Sequence, residues 1–465
     1  ETLIVGWGGK VKMTFSSSAL TIIRAHLQER GKSLPDLRNK TELNATARKA
    51  YYGARVEVLH HLPDYELTEY DINSSYPEAM CGELPWEPVA ALIGGDAANA
   101  YNLGHAGVFC ADVTVPLDTA IPCLPFRLPC NDCLSHGFAG CEHKTTGAIY
   151  FPVGTWRAWF PANELRYAQT QGVGVSIQSG IIYTRENPFT DFINEVYAVK
   201  AVSTGAKREF AKKVLNGAYG KFGQKPEQCS LRSFDTQEER ATFCLANPGE
   251  FSPISDDNLS GTINTYRWPA HTNYAVAGYI TAGARIALHQ GLLVSDRPAY
   301  CDADASHCAR DGMPAELVGV GLGRWKVEVK ACTGKYYAPK IYRLMETSDA
   351  CGKIHYASKG FPIKCNACLY EEKDKPCTCD ENFMRVVNGE LTESGRMQLS
   401  KTQLRCNAGE VRRVIDAKCW KGFSSKRKPA IDGSTRPWTI AELIRGDNRQ
   451  AQSPARRNCQ TGFSW

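Results

Sequence analysis

A chain of 465 residues exceeds one ordinary hydrophobic core, so two to four subdomains are expected. Hydrophobic content of 43% with 22% charged residues describes a globular protein, and no apolar run approaches the roughly 20 residues that span a bilayer. Net charge is only +6, so a nucleic-acid partner must be met by locally concentrated charge, and the basic stretches are 200–225, 418–436 and 445–457.

In chain order, residues 18–30 carry the first helical pattern. Residues 66–72 read as a strand running into a turn. Asn73, Ser74 and Ser75 are cap-type residues, and Pro77 suits a first helical turn, so Asp71 is presented at a strand end. Residues 101–190, rich in Gly, Pro and Cys, read as an irregular, strand-containing insertion. Residues 188–222 form one helical region with Asn187 as its N-cap. On it Arg208, Lys212, Asn216 and Tyr219 share one face, and Lys200 lies two turns back on about the same stripe. Gly217, Gly220 and Gly223 weaken that helix, and their usual use is close approach of a backbone or ligand. Residues 226–262 read as a polar loop or hairpin insertion. Residues 275–293 form a second helix, whose Ala277, Gly278, Ala282, Gly283 and Ala284 permit tight packing. Residues 298–301 are a short strand, with Asp302-Ala303-Asp304 as a hairpin turn. Two carboxylates on a tight turn repel unless a cation sits there. After Leu322-Gly323-Arg324-Trp325-Lys326-Val327-Glu328, alternation over 336–344 reads as a strand. Lys335 and Tyr337 then point to one face, as a phosphate-backbone contact requires.

One acidic group, one basic helix face and one acidic pair, in that order, suit transfer of a nucleotide from a triphosphate to a primer. Two metal ions about 4 Å apart need shared carboxylates. The triphosphate needs cationic side chains that do not compete for those ions.

These residues match a family. Asp71-Ile72-Asn73-Ser74-Ser75-Tyr76-Pro77 resembles motif A of family B DNA polymerases. Lys212-x3-Asn216-Gly217-Ala218-Tyr219-Gly220 resembles motif B, Tyr300-Cys301-Asp302-Ala303-Asp304 motif C, and Lys335-x-Tyr337 the K-x-Y motif. The protein-primed branch, found in phages and linear mobile elements, is the nearest likeness. It has counterparts of Arg48-Lys49-Ala50-Tyr51-Tyr52-Gly53-Ala54, of 205–222 and of 422–429. The resemblance implies an α+β right-hand polymerase: a palm with an antiparallel sheet, helical fingers and a small thumb. It implies that Asp71, Asp302 and Asp304 hold catalytic Mg²⁺ or Mn²⁺. Tyr76 would lie under the incoming sugar and exclude a 2′-hydroxyl. Lys200, Arg208 and Lys212 would face the triphosphate, with Asn216, Tyr219 and Gly220 around the nascent pair. Lys335 and Tyr337 would contact the primer strand. The implied partners are template-primer DNA, dNTPs and a terminal protein primer, for a monomer without membrane contact in the host cytoplasm. Two rivals stay open: a catalytically weak, nucleic-acid-binding relative, and an RNA-synthesising or reverse-transcribing palm enzyme, where Tyr76 argues against ribonucleotide use.

The implied organisation is 1–60 leading into the palm, 61–100 palm, 101–187 an insertion facing the terminal protein, and 188–225 fingers. Residues 226–262 form a second insertion, 263–361 more palm and 362–465 the thumb. Motif C more often reads D-T-D-S, and Gly217 stands where serine is common. No proofreading motif precedes the palm: Asp64-Tyr65-Glu66 lies directly against motif A. Such a domain is therefore expected upstream of Glu1 or not at all. The chain opens on Glu1 with no secretory signal, which fits a processed, trimmed or partial N-terminus.

Nineteen cysteines are many for such a chain. Seven fall in two clusters: Cys130-x2-Cys133-x7-Cys141-x-His143 and Cys365-x2-Cys368-x8-Cys377-x-Cys379. Each gives four soft ligands in a short loop, as a tetrahedral structural zinc demands. Cys123 is a substitute ligand for the first set. Free thiols, disulfides and iron–sulfur binding stay open as alternatives.

Overall fold

The computed structural model describes residues 5–12, 14–128, 148–253, 257–347, 353–358, 360–361, 363–365, 377–388, 392–398, 412–418 and 426–447. The chain divides into two compact units. Glu1–Gly223, Asn273–Lys359 and Gly422–Trp465 form the first, and Gln224–Thr272 with Gly360–Lys421 the second.

The first unit is built on a seven-stranded antiparallel sheet. Its order is Val56–Val58, Tyr300–Asp302, Ala305–Ala309, Leu67–Ile72, Trp325–Ala338, Ile341–Glu346 and Ile354–Ser358. Helix Tyr274–Val294 packs against it, started by the Asn273 side chain, which accepts from Val276 N. The small residues of this helix allow the expected close packing. A Cβ on Gly283 would sit 3.0 Å from that of Ala79, and one on Gly291 would lie 2.2 Å from the Trp325 ring.

Several expectations are corrected. Residues 101–190, expected to be irregular, are mostly regular where they are described, apart from the turns and coil of 116–125. Leu84–Ile93, Gly174–Glu186, Ala106–Val115 and Gly154–Pro161 pair in that order as a four-stranded antiparallel sheet. The alternation was masked by strands buried on both faces, as in Val108, Phe109 and Ala111. The strand expected over 336–344 is two strands that turn at Pro339-Lys340. Residues 426–447 do not belong with the rest of the expected thumb but pack within the first unit. Thr435 Oγ1 bonds the Val58 and Leu59 carbonyls at 3.0 and 2.8 Å. Arg427 pairs with the buried Glu57 at 3.8 Å. Helix Ile440–Arg445 begins with a Thr439–Glu442 capping box.

In the second unit, Glu227–Ser233, Ser260–Tyr266 and Phe251–Pro253 form a three-stranded sheet. Helix Gln237–Ala246 follows the first of these strands, and the Phe234 ring meets Phe243 and Phe251 at 5.4 and 5.2 Å. This exceeds the expected hairpin. The same unit contains helix Cys379–Val387 and the paired strands Thr392–Gln398 and Arg412–Lys418.

Candidate active site

Strand order puts the acidic residues together. Asp71 lies opposite Ala305 on one neighbouring strand and Lys326 on the other. Asp302 closes the hairpin against Ala305. Ala303 takes a left-handed φ of 64°, which costs a non-glycine residue about 1–2 kcal/mol. Backbone bonds hold it there. Ala303 N donates to the Arg55 carbonyl at 2.8 Å, and Ile72 N donates to that of Asp304 at 2.9 Å. Arg55 is itself buried and fixed by Glu57 (2.9 Å from Nε) and by the Pro122 carbonyl (2.7 Å).

Crowding shows in the electrostatics. The Asp304 carboxyl is pushed up to about 7, first by burial and then by the charges of Asp71 and Asp302. Burial also raises Asp71, opposed by the Lys326 ammonium 3.0 Å from its Oδ2. Lys340 Nζ lies 2.8 Å from Asp302 Oδ1, and Tyr300 OH donates to Asp302 Oδ2 at 3.2 Å. Lys326 also pairs with Glu328. Glu69, two residues before Asp71, is raised to about 7, by burial first and then by Glu328. Two ammonium groups thus pair with Asp71 and Asp302, whose hard oxygen donors would suit Mg²⁺ or Mn²⁺.

The expected single helix over 188–222 is two, Thr190–Val202 and Gly205–Phe222, parted at Ser203-Thr204 with Gly205 at φ 55°. Phe189, not Asn187, is the N-cap. Asn187 Oδ1 instead accepts from Thr190 Oγ1 at 2.5 Å. Lys200 therefore shares no helix with Arg208 and Lys212, yet the cations converge. Burial lowers the Lys200 pKa, followed by the charges of Lys326, Arg208 and Lys212. Its Nζ donates to Ser74 Oγ at 2.7 Å, on the turn after Asp71. Arg208, Lys212, Asn216 and Gly220 are exposed. A Cβ on Gly217 would lie 3.2 Å from Ser16 Cα, and one on Gly223 2.7 Å from the Tyr51 ring. Gly220 has open space instead, so the close-approach reading fails there. Tyr76 and Tyr219 stack with centroids 4.1 Å apart and planes 12° from parallel.

The K-x-Y expectation holds only in part. A register shift between Tyr336 and Ala338 turns Tyr337 inward to 2% exposure, while Lys335 stays exposed. The pair does not share one exposed face.

Sequence reasoning gave no role to Lys326, Lys340 or Arg285. Lys326 stood in a stretch already singled out, but strand register decides its partner. Buried Arg285 holds Glu164 through two 2.7 Å bonds and donates to the Tyr52 and Gly53 carbonyls at 2.8 and 2.9 Å. Of the cysteine sets, Cys365, Cys377 and Cys379 come together. Cys130, Cys133, Cys141, His143 and Cys368 lie outside the described residues. Cys123 is a core thiol, 6% exposed and raised to about 12 by burial.

An antiparallel palm sheet with three aspartates at its strand ends, flanked by a cationic helix pair, defines the core of a right-hand polymerase. The family model for DNA polymerase type B, organellar and viral, matches residues 10–316, and the chain belongs to that family. It is 24% identical over 355 residues to a probable DNA polymerase of Agaricus bitorquis, covering 69% of this chain and 40% of that one. It is 25% identical over 328 residues to the DNA-directed DNA polymerase of Enterobacteria phage PRD1, covering 67% and 52%. In fold it is similar to Phi29 DNA polymerase complexed with primer-template DNA and incoming nucleotide substrates. The TM-score is 0.59 at 20% identity, over 90% of this chain and 69% of that chain. The chain thus spans about half or less of the length of these curated relatives.

Proposed function

We propose that the chain is the polymerase core of a protein-primed, DNA-directed DNA polymerase. The primer 3′-hydroxyl, or a hydroxyl of a terminal protein, attacks the α-phosphate of a dNTP. A new oxygen–phosphorus bond forms and pyrophosphate leaves. The observation that carries this reading is the placement of Asp71, Asp302 and Asp304 on adjacent strand ends of one sheet, with Lys200 hydrogen-bonded to the turn after Asp71.

In this reading Asp71, Asp302 and Asp304 hold two Mg²⁺ or Mn²⁺ ions, which when bound stabilise the attacking and leaving oxygens. Lys200, Arg208 and Lys212 bind the triphosphate and neutralise charge that develops on the leaving pyrophosphate. The Tyr76 ring, braced by Tyr219, fills the space of a ribose 2′-hydroxyl. Asn216 and Gly220 border the nascent pair. Lys335 contacts primer phosphates, and Tyr337 supports that strand from within.

Extension of a labelled primer on a DNA template, with dNTPs and Mg²⁺, tests the reaction. Protein priming is tested by transfer of a labelled dNMP to a companion protein of the same genetic element. No label on protein hydroxyls, with primer extension intact, would remove the priming half of the proposal.

A further inference from the structure

The cysteines of the second unit are used by no part of nucleotidyl transfer. Cys365 Sγ lies 3.9 Å from Cys377 Sγ and 3.6 Å from Cys379 Sγ, and all three sulfurs lie within 4.8 Å of one another. A disulfide needs about 2.05 Å, so neither contact is a covalent bond. Van der Waals packing alone gives no reason for three sulfurs, set 12 and two residues apart in sequence, to meet at one point. A tetrahedral ion does. With metal–sulfur bonds of about 2.3 Å it spaces its sulfurs about 3.8 Å apart, midway between the two separations seen. A [4Fe–4S] cluster gives each cysteine its own iron and a [2Fe–2S] cluster lets only two share one, so either would hold at least one of three sulfurs farther from the others. The spacing therefore fits a single ion.

The surroundings agree. Cys365 and Cys379 are 8% and 7% exposed, where a thiolate charge needs a cation beside it. Cys365 N–H donates to Cys379 Sγ at 3.3 Å, the outer-shell bond that a ligating sulfur takes. Cys379 opens the helix Cys379–Val387, whose first-turn amides favour negative sulfur. Phe383, Val386 and Val387 of that helix are buried, and Asn382 Nδ2 donates to the Ile363 carbonyl at 3.3 Å. Residues 363–365 thus dock on the helix start at two points, with the sulfurs between them.

We propose that Cys365, Cys377 and Cys379 bind one zinc ion as thiolates and that this ion pins residues 363–365 to the start of helix Cys379–Val387. Soft thiolates in tetrahedral array select zinc over the hard ions of the acidic site. Binding releases the thiol protons, and no redox partner is needed.

The test is metal content of the full chain purified without chelator. Cys365→Ser and Cys379→Ser should each lose about one zinc per chain relative to the parent, whatever other sites hold. Unchanged zinc in both variants would overturn the proposal, as would iron in place of zinc. Since either variant could misfold, the parent is also alkylated in its folded state and mapped by mass spectrometry. Cys365, Cys377 and Cys379 should resist alkylation until a zinc chelator is added, and then react together. Free reaction before chelation, or a disulfide among the three, contradicts a metal site.

Discussion

The Tyr76 ring lies face to face with that of Tyr219, 4.1 Å between centroids, joining the helix after Asp71 to the basic helix Gly205–Phe222. On the proposed reading Tyr76 gates the sugar, and a gate must be rigid to exclude one oxygen atom. The stack supplies that rigidity from a second element, and aromatic pairs of this kind contribute about 0.5–1.5 kcal/mol.

Tyr76→Val should therefore admit ribonucleotides. Tyr219→Ala should do so more weakly, lowering dNTP-over-rNTP discrimination by roughly three- to tenfold. Tyr219→Phe keeps the stack and should keep the discrimination. The check is kcat/KM for matched dNTP and rNTP pairs. Equal discrimination in all three variants would mean that the stacked ring is not the gate.

At the proposed metal site Lys326 would compete with a divalent ion for Asp71, since its Nζ lies 3.0 Å from Oδ2. Lys326→Ala should tighten Mn²⁺ binding severalfold without nucleotide, because the carboxylate loses its own counter-charge. Titration calorimetry reads this directly. Weaker Mn²⁺ binding in the variant would assign Lys326 a supporting rather than competing role.

The pH dependence follows from Asp304, at about 7 when folded against an ordinary 3.8. Between those values the folded chain holds the proton more tightly than the unfolded chain. Stability present near pH 4 is therefore lost as pH rises through 7 in metal-free protein. Asp304→Asn should be more stable than the parent at pH 8, by about 1–2 kcal/mol, and should flatten part of the slope. Glu69, also raised to about 7, keeps the rest. Divalent ions need the carboxylate, so their affinity for the parent should fall below pH 7. Thermal melts at pH 5 and pH 8, with and without Mg²⁺, check both signs.

Arg285 and Glu164 are 3% and 1% exposed and doubly bonded. Glu164→Gln leaves a buried guanidinium without its charge partner and should cost about 3–5 kcal/mol. Urea denaturation measures it. A loss under about 1 kcal/mol would show that the Tyr52 and Gly53 carbonyls suffice to hold Arg285.

The site was legible in the sequence where chemistry is carried by neighbours in the chain. Asp71 at a strand end, the Asp302–Asp304 hairpin and the Arg208–Tyr219 face all follow from short-range spacing and caps. What escaped depends on pairing between distant strands. Lys326 meets Asp71 only through sheet register, and Tyr337 turns inward because of a bulge that no local pattern announces. The break at Ser203-Thr204 carries no proline, and its signals, two cap-type residues followed by Gly205 at φ 55°, were passed over in favour of the periodicity that runs through it. Residues 426–447 return to the first unit through the Thr435 hydroxyl, which donates to the Val58 and Leu59 carbonyls, a pairing that composition does not encode.

The central claim is that the three aspartates and the cations beside them perform metal-dependent nucleotide transfer. The most direct measurement is primer extension by the parent and by Asp304→Asn at pH 8, with template-primer binding followed in parallel. The parent should extend the primer only with Mg²⁺ or Mn²⁺. The variant should lose at least about a thousandfold in rate while binding DNA as tightly as the parent, since phosphate contacts come from cations elsewhere. Extension by Asp304→Asn near the parent rate, or DNA binding by the parent with no extension under any divalent ion, would contradict the account.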